Sequence, residues 1–252
     1  MPDYYDTATQ LNEYLVFHYG NDASVLPWDF GPVKALGFHK RLVGWVDKSR
    51  LHTGCRALDL GCAVGRISFE LTRTCESVVG VDYSTTFVET AKKIKESGLV
   101  AFQLTREGNL STSAQVRLPS DLVRERVSFC QGDAENLPNS LGKFDVIVMA
   151  NLLDRVAHPR KVLSRLRDIT QPGAQVIICS PFTWWDEFTQ PEERLGGFEG
   201  SDPVRSGRGL LHREVGRLEG TGLGVGDDRP DVREQRDVEW DPLPLCASTI
   251  SA

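Results

Sequence analysis

The sequence predicts an α/β fold with a mostly parallel, doubly wound sheet, and two observations lead to this prediction. Five short runs are rich in valine, isoleucine and leucine, as expected for strands that are buried on both faces. These runs cover residues 56–60, 77–81, 126–130, 144–149 and 175–179. Helix-like segments separate most of them, and strands that alternate with helices build parallel sheets with helices on both sides.

The length and composition indicate one principal domain. A chain of 252 residues with 40% hydrophobic content can bury one sizeable core and a small appendage. Ahead of the first strand, residues 5–19 carry apolar side chains at helical spacing, and a second helix is predicted around residues 36–46. We assign residues 1–50 to an N-terminal helical cap, 51–195 to the main domain and 196–252 to a tail.

Two segments depart from the alternation of strands and helices. Residues 98–121 form a polar insertion ahead of the third strand, which we interpret as a surface loop or flap. The tail from residue 196 onward is crowded with glycine, arginine and aspartate and loses apolar periodicity, which is typical of disordered segments. We assign no strands to this atypical tail.

The charge balance and the hydropathy limit the partners that we expect. A formal net charge of -6 argues against nucleic acid, because phosphate binding relies on clustered lysine and arginine. No run approaches the ~20 apolar residues that cross a bilayer, so no membrane contact is expected. The first six residues, MPDYYD, are unlike the basic and then apolar start of a secretory leader. We therefore expect a cytoplasmic protein with a small-molecule or protein substrate.

Cysteine spacing gives no sign of a metal site or a disulfide framework. The six cysteines contain no close CxxC pair, and several lie in predicted strands. We interpret them as reduced, mostly structural thiols and predict no metal. They are Cys55, Cys62, Cys75, Cys130, Cys179 and Cys246.

The first motif follows the first predicted strand, in residues 57–66 (ALDLGCAVGR). Gly61 and Gly65 allow a sharp turn and the close approach of a ligand to the backbone. The dinucleotide pattern G-x-G-x-x-G does not fit this spacing well. An acidic-x-Gly-x-Gly-x-Gly pattern fits better, with Asp59 as the acid and Ala63 in place of the middle glycine.

Two more acids follow predicted strands. Asp82 lies about 20 residues beyond Gly61, where a carboxylate binds the ribose hydroxyls of a nucleotide cofactor. Its alternative role as a helix cap is better filled by Ser84. Asp133 can accept a hydrogen bond from the amine of adenine while the Ala134 backbone serves the ring nitrogen, although a Gly-Asp turn is ordinary on its own. In series, the three acids predict an adenosine-containing cofactor.

The fourth motif is Asn151, which opens the loop after the strand at residues 144–149. A polar side chain here can orient a substrate in a pocket. A helix cap is an equally good interpretation of this residue. Leu152 and Leu153 are better suited to form a wall of the cofactor pocket than to take part in chemistry.

With these motifs, the chain resembles the class I methyltransferase superfamily, whose fold is Rossmann-like. The resemblance implies S-adenosyl-L-methionine as the cofactor, with Asp59 facing the ammonium group of its methionine part. Asp82 would bind the ribose and Asp133 with Ala134 the adenine. The remaining cofactor contacts that the resemblance implies are Gly61, Cys62, Ala63, Gly65, Tyr83 and Asn151.

More narrowly, the chain is similar to the 4-mercaptohistidine N1-methyltransferase family of ovothiol biosynthesis. The match runs from about residue 4 to 197, and the tail beyond it departs from the family's pattern of further strands and an aromatic, basic segment. The most discriminating stretches are FHYG, NLLDR and SPFTWWDEF. The segments that carry the match are residues 4–5, 11–20 (LNEYLVFHYG), 26–32 (LPWDFGP), 58–66 (LDLGCAVGR), 131–134 (QGDA), 150–155 (ANLLDR), 180–188 (SPFTWWDEF) and 195–197 (LGG).

This narrower resemblance implies methyl transfer to an imidazole nitrogen of a thiol-substituted histidine. The family often follows an iron-dependent domain that joins cysteine to histidine, and nothing in this chain corresponds to it. A sulfoxide synthase is therefore an expected functional partner. A zwitterionic substrate suits an arginine for its carboxylate, carboxylates for its ammonium and aromatic faces for its ring. The residues expected to provide these groups are Asn151, Arg155 and Tyr14, together with Asp154, His18, Tyr19, Trp184 and Trp185.

Several alternatives stay open at this point. Tyr14 and His18 share one helical face and would most often be packing residues. Trp184 and Trp185 cannot both point inward, so at most one is expected to touch substrate. The chain could also methylate another small molecule or a protein, or be a non-catalytic partner subunit that kept the cofactor fold.

Overall fold

The structure is a computed structural model that describes residues 3–28, 30–199, 224–226 and 246–251. The chain divides into two units, Met1–Asn136 and Leu137–Ala252. The helices of the first unit are α1 (Ala8–Tyr19), α2 (Asp22–Val25), α3 (Phe38–Val43), α4 (Arg66–Leu71) and α5 (Thr85–Ser97), with 3-10 helices at Asp3–Asp6, Val33–Ala35, Lys48–Arg50 and Arg124–Arg126. Its strands are β1 (Arg56–Leu60), β2 (Ser77–Asp82), β3 (Leu99–Glu107), β4 (Leu110–Arg117) and β5 (Val127–Gln131).

The first unit contains a parallel sheet in the order β5-β2-β1. Leu58 pairs with Val79, and Val79 in turn pairs with Ser128. The interior of this sheet is apolar, since Leu58, Val78 and Val127 are buried. The three predicted strands are confirmed with shifts of one residue at most. Strand β1 is buried on both faces, whereas β5 alternates the buried Val127 and Phe129 with the exposed Ser128.

Helix α5 has clear sequence signals at both ends. The Ser84 side chain caps its N-terminus by accepting a hydrogen bond from the backbone N–H of Phe87, so Ser84 takes the cap role, as predicted. Gly98 ends the helix in a left-handed conformation. A second acceptor at the N-terminus is Asp6, which receives hydrogen bonds from the Ser84 hydroxyl at 2.6 Å and the Thr86 backbone at 3.1 Å.

The polar insertion, which we interpreted from the sequence as a surface loop or flap, is an antiparallel hairpin of β3 and β4. In β3, the half-buried Val100, Phe102 and Leu104 alternate with the exposed Ala101 and Gln103. This alternation is the period-two pattern of a strand with one covered face. The many threonine and serine side chains of the segment hid the pattern, although the exposed face of a hairpin is where polar side chains belong.

The second unit contains β6 (Phe144–Ala150), α6 (Pro159–Ile169), β7 (Thr170–Ser180), β8 (Gly224–Gly226) and β9 (Cys246–Ser251), with 3-10 helices at Asn139–Leu141, Leu153–Arg155 and Pro191–Glu193. Strands β6 and β7 are parallel, while β9 is antiparallel to β7 and to β8. The prediction that the tail holds no strands is therefore wrong for β8 and β9. Glycines in β8 and the absence of an apolar alternation kept these strands from being predicted.

The predicted N-terminal helix is confirmed as α1, with Thr7 as its cap. The predicted second helix is shorter than expected and corresponds to α3. None of the helices in the described part of the chain is long and apolar enough to cross a membrane. The domain limits at residues 50 and 195 stay a prediction.

Candidate functional site

The loop after β1 holds an unusual backbone conformation. Gly61, Ala63 and Gly65 all have positive φ, at 79°, 45° and 87°. Ala63 is the notable case, because a left-handed alanine is strained and such strain concentrates at functional sites. The backbone N–H groups of Gly61 and Cys62 both donate to the Val81 carbonyl, at 2.8 and 3.0 Å. The loop is therefore fastened to the end of the neighbouring strand β2.

Gly65 allows this loop to pass close to strand β5. A Cβ atom placed on Gly65 would lie 2.6 Å from Cζ of Phe129, a distance that real side chains do not tolerate. Phe129 is itself buried, so its ring has little room to move. The requirement for glycine at this position thus has both a conformational and a steric cause.

Asp82 ends β2 with its carboxylate beside the loop. Its Oδ2 accepts a hydrogen bond of 2.7 Å from the Ala63 backbone N–H, and its Oδ1 accepts one of 2.9 Å from Ser84. Burial raises the pKa of the carboxyl to about 6, against the lowering effect of these two hydrogen bonds. Each oxygen keeps a further lone pair, so the aimed carboxylate can still accept ribose hydroxyls.

Asp59 is fully buried within β1. Its Oδ2 accepts a 2.6 Å hydrogen bond from the Ser68 hydroxyl, while Oδ1 has no partner among the described residues. Burial raises the pKa of Asp59 to about 7, the Ser68 hydrogen bonds lower it, and the Asp82 charge adds to the rise. An orphaned, buried acceptor fits a cationic group, so a role toward the methionine ammonium stays a prediction that this atom allows.

Asp133 lies beyond β5, where Gly132 donates a 2.9 Å backbone hydrogen bond to the Asp82 carbonyl. The Asp133 carboxylate accepts from the Glu135 backbone at 2.8 Å and from the Asn136 amide at 2.6 Å. The side chain therefore shapes its own turn, and its predicted contact with adenine uses the remaining lone pairs. The structure brings Asp59, Asp82 and Asp133 to the carboxyl ends of adjacent strands, where α/β sheets bind ligands.

The other cofactor residues predicted from the sequence also lie along this edge. Tyr83 is exposed, and its carbonyl accepts a 3.1 Å hydrogen bond from the Gln131 amide. Cys62 and Ala134 are both buried. Their roles stay predictions.

The aromatic residues of α1 divide into two groups. The Tyr19 hydroxyl donates a 2.7 Å hydrogen bond to the Val64 carbonyl, which joins α1 to the loop after β1. The Tyr14 ring instead packs on Phe87, with 4.6 Å between ring centroids. This contact favours a packing role for the Tyr14 ring, while its predicted part in catalysis stays untested.

His18 is buried against His39, with ring centroids 4.0 Å apart. Burial, together with the charge of Arg66, lowers the pKa of His18 to about 3. The pKa of His39 is lowered well below its usual value by burial and by His18. Both rings are therefore neutral near pH 7, which suits an apolar packing role for His18.

In the second unit, Asn151 follows β6 with a left-handed φ of 55°. Its backbone N–H donates to the Cys179 carbonyl at 2.7 Å, and its side chain is exposed. The cap of the following 3-10 helix is Leu152, so the helix-cap interpretation of Asn151 is wrong. A strained, exposed amide at the carboxyl end of a strand is compatible with ligand contact.

Asp154 is a fully buried acceptor at the same end of β6 and β7. Its Oδ1 accepts from the Ser180 hydroxyl at 3.0 Å, and its Oδ2 accepts from Thr183 twice, from the backbone at 3.1 Å and the hydroxyl at 2.9 Å. Arg155 adds a 2.8 Å ion pair to Oδ2. The Asp154 carboxylate is therefore occupied by partners within the protein. Because of these partners, it is a poor candidate for binding a substrate ammonium.

Arg155 lies over the ring of Trp185, with its guanidinium carbon 4.3 Å from the ring centroid. Trp185 is 40% exposed, whereas Trp184 is buried. The two tryptophans thus differ in exposure, and the expectation that at most one of them touches substrate stays a prediction. Sequence reasoning missed Ser68, Ser180 and Thr183, because a hydroxyl gives no signal until its distant partner is known.

Within the described residues, no group of three or more histidine, cysteine or acidic side chains is arranged to hold a metal ion. Two thiols do meet in the core, because the Sγ atoms of Cys55 and Cys75 lie 3.0 Å apart. Both residues are buried, as expected for structural cysteines.

Residues 58–178 match the family described as "Methyltransferase domain". The ubiquinone biosynthesis O-methyltransferase of Pseudomonas aeruginosa (strain LESB58) is 26% identical over 139 residues, which cover 55% of this chain and 49% of the relative. The magnesium-protoporphyrin O-methyltransferase of Rhodobacter capsulatus is 32% identical over 141 residues, which cover 53% and 51%. The chain thus spans about half the length of these curated relatives.

Among solved structures, the magnesium protoporphyrin IX methyltransferase from Synechocystis PCC 6803 with bound SAH has a similar fold. The TM-score is 0.56 at 16% identity, and the match covers 99% of this chain and 95% of that chain. The fold is therefore the Rossmann-like fold of class I methyltransferases, with a mostly parallel sheet, and S-adenosylmethionine is the cofactor for which this fold is built. The narrower resemblance to the mercaptohistidine family stays a prediction.

Proposed function

We propose that this chain is an S-adenosylmethionine-dependent methyltransferase that methylates an imidazole ring nitrogen of 4-mercaptohistidine, giving an ovothiol-type product. The observation that carries the cofactor part is Asp82, whose carboxylate is aimed by two backbone N–H groups beside the strained loop at Ala63. The acceptor part is supported by the sequence segments FHYG, NLLDR and SPFTWWDEF. The protein is proposed to act in the cytoplasm, where thiols stay reduced.

The described residues fit the cofactor at three points. The Asp82 carboxylate would accept hydrogen bonds from the ribose hydroxyls, Asp133 would accept one from the adenine amine, and the Ala134 backbone N–H would donate one to the ring nitrogen. The Oδ1 atom of Asp59, which has no partner among the described residues, would accept a hydrogen bond from the ammonium group. Gly61 and Ala63, with positive φ, turn the backbone sharply so that the ligand can approach it.

When bound, S-adenosylmethionine supplies an electrophilic methyl group. The protein's task is then to hold the acceptor nitrogen in line with that methyl group. A dedicated base is unnecessary, because an imidazole with a pKa of about 6.5 offers a free lone pair at neutral pH. Alignment alone can contribute on the order of 7–11 kcal/mol. Asn151, Arg155 and Tyr14 are the residues proposed to orient the acceptor.

A thiol-substituted histidine must come from a reaction that attaches sulfur to the imidazole ring. A sulfoxide synthase that joins cysteine to histidine is therefore the proposed functional partner. The partner need only supply the acceptor and does not have to bind this chain.

The proposal is tested by titrating the purified chain with S-adenosylhomocysteine and then assaying 4-mercaptohistidine with S-adenosylmethionine under reducing conditions. Mass spectrometry should detect a product heavier by one CH₂ group, and histidine without the thiol serves as the matched acceptor. If S-adenosylhomocysteine binds but 4-mercaptohistidine is not methylated, the proposed acceptor is wrong and the proposed cofactor stands. Failure to bind would overturn the cofactor site and favour a non-catalytic subunit.

A second candidate is O-methylation of a ring-bearing small molecule, since both curated relatives described above are named O-methyltransferases. The same assay separates the two candidates when phenolic and carboxylic acceptors are included. Methylation of these acceptors but not of the thiolated imidazole would select the second candidate.

A further inference from the structure

We propose that Arg155 offers one edge of its guanidinium group as a receptor for a carboxylate of the methyl acceptor. The acceptor class is then a small molecule with a free carboxylate, rather than a side chain within a protein or an uncharged ring. This inference rests on the proposed methyltransferase function, and it specifies which atoms recognise the acceptor.

The hydrogen bonds of Arg155 leave one edge of the guanidinium available. Nη1 donates to the Asp154 carbonyl and to Asp154 Oδ2, both at 2.8 Å, and Nη2 donates to the Thr183 hydroxyl at 2.9 Å. Of the five N–H donors, Nε–H and one Nη2–H have no acceptor among the described residues. Thr183 Oγ1 also donates to Asp154 Oδ2, the acceptor of Nη1, so we place it on the Nη1 side of Nη2. The Nε–H and the remaining Nη2–H then share one edge, which is the arrangement that binds a carboxylate in a bidentate fashion.

The group is also held rigidly. The guanidinium carbon lies 4.3 Å from the centre of the Trp185 ring, while Asp154 accepts from Nη1 and Thr183 accepts from Nη2. The Arg155 side chain is 16% exposed, so solvent reaches part of it. A pre-oriented arginine loses little further conformational entropy when it binds a ligand.

The Asp154 carboxylate that pairs with Arg155 also has other partners. Three other donors also bind its carboxylate, from Ser180 and Thr183. These donors spread the negative charge of Asp154 over the interior. We therefore assign Asp154 as a positioning residue that acts through Arg155.

The location supports a receptor rather than a simple structural brace. Arg155 lies in the 3-10 helix that follows β6, and Ser180 is the last residue of the parallel strand β7, so both lie at the carboxyl ends of strands, where ligands bind in α/β folds. Three non-glycine residues in the adjoining segments have positive φ, namely Asn151 at 55°, Phe182 at 51° and Trp184 at 33°. Strained backbone of this kind concentrates at ligand sites.

The direct test follows the ¹⁵N–¹H signal of the Arg155 side-chain Nε, assigned by its loss in Arg155→Gln. The protein saturated with S-adenosylhomocysteine is titrated with 4-mercaptohistidine, with its decarboxylated analogue and with benzoate. We expect the signal to shift with the two carboxylates and not with the decarboxylated analogue. An unmoved signal with both carboxylates overturns the inference, whether or not the chain turns over any acceptor.

Kinetics give a second, separate readout. Arg155→Gln is expected to raise the acceptor KM roughly 10- to 100-fold, as for loss of a charged hydrogen-bond partner, with the Kd for S-adenosylhomocysteine unchanged. The variant should also lose the preference for the carboxylated over the decarboxylated acceptor. Arg155→Lys keeps the positive charge but lacks the bidentate edge. It should therefore keep only part of the preference for the carboxylated acceptor. A lower melting temperature with the preference intact would show a structural brace and overturn the receptor.

Discussion

The Oδ2 atom of Asp82 accepts a 2.7 Å hydrogen bond from the backbone N–H of Ala63, so the acid that ends β2 holds the strained loop that follows β1. One carboxylate thus fixes the loop conformation and is also the group proposed to bind the ribose. The two tasks are coupled, because a change at Asp82 alters both the charge and the backbone beside it.

Asp82→Asn is expected to weaken S-adenosylhomocysteine binding by roughly 10- to 100-fold, as for a lost hydrogen bond to a charged group. The amide nitrogen of asparagine cannot accept a hydrogen bond from Ala63 or Ser84, and the charge is gone. Calorimetric titration measures the change. Glu89→Gln, an exposed acid on α5 paired with Lys92, is the control and should bind normally. Equal affinity in Asp82→Asn and wild type would contradict the ribose role.

Asp59→Asn is expected to change how stability depends on pH. The pKa of Asp59 is raised to about 7 by burial, from a usual value near 4, so the folded state holds the proton more tightly than the unfolded state. Ionising this group therefore destabilises the fold as pH rises from about 4 to 7, and the penalty is constant above that range. As the pH rises from 4 to 8, the free energy of unfolding of the asparagine variant should increase by roughly 2–4 kcal/mol relative to that of wild type.

Urea unfolding of both proteins across this pH range measures the difference, without ligand. The asparagine oxygen can still accept from the Ser68 hydroxyl, so that contact stays comparable. A difference between the two proteins that does not vary with pH would show that Asp59 titrates in its usual range.

Gly65→Ala and Gly54→Ala form a matched pair that separates backbone strain from steric clash. Both glycines have nearly the same φ, 87° and 86°, but an added Cβ meets Phe129 at Gly65 and nothing within 4 Å at Gly54. Gly54→Ala should lower the free energy of unfolding by about 1–2 kcal/mol, because alanine is strained in the left-handed conformation. Gly65→Ala should cost a further ~1–3 kcal/mol from overpacking. Denaturant unfolding checks both values, and equal losses would show that Phe129 moves aside.

Asp154→Asn is expected to destabilise the protein by roughly 3–5 kcal/mol, the usual result of breaking a buried ion pair. The asparagine would leave Arg155 without its charged partner and would return fewer acceptors to Ser180 and Thr183. Chemical denaturation measures the loss. The control is Asp168→Asn, since Asp168 pairs with Arg165 at the surface and its loss should cost under about 1 kcal/mol.

Tyr19→Phe should remove the hydrogen bond to Val64 and cost about 1 kcal/mol of stability. Because Val64 lies in the loop after β1, the cofactor affinity is also expected to fall, by less than in Asp82→Asn. Thermal unfolding and the same titration measure both effects. Leu110→Ala changes an exposed side chain in the hairpin of β3 and β4, outside the predicted cofactor contacts, and serves as the comparison. An unaltered Tyr19→Phe protein would mean that α1 does not hold the loop.

The parallel strands and the acids at their ends could be predicted because both signals are local in the sequence. Continuous apolar runs marked β1, β2, β5 and β6, and Asp59, Asp82 and Asp133 stand in or just after three of them. The signal for the helix cap at Ser84 was local as well, because its partner Phe87 lies three residues further on.

What could not be predicted depends on partners that are far apart in the sequence. The hydroxyl of Thr183 matters only because Asp154 lies opposite it, and Ser68 matters only because of Asp59. Strand β9 exists because β7 offers an edge, not because of its own composition. The hairpin of β3 and β4 was missed for a different reason, since its polar exposed face outweighed its weak alternation.

The pairing of β9 with β7 also has a consequence for the order of assembly during synthesis. Roughly 65 residues separate the end of β7 from the start of β9, so the second edge of β7 stays uncovered while the ribosome makes that stretch. An uncovered strand edge invites pairing with another chain. The nascent protein is therefore most prone to aggregate in the interval between the emergence of β7 and the arrival of β9.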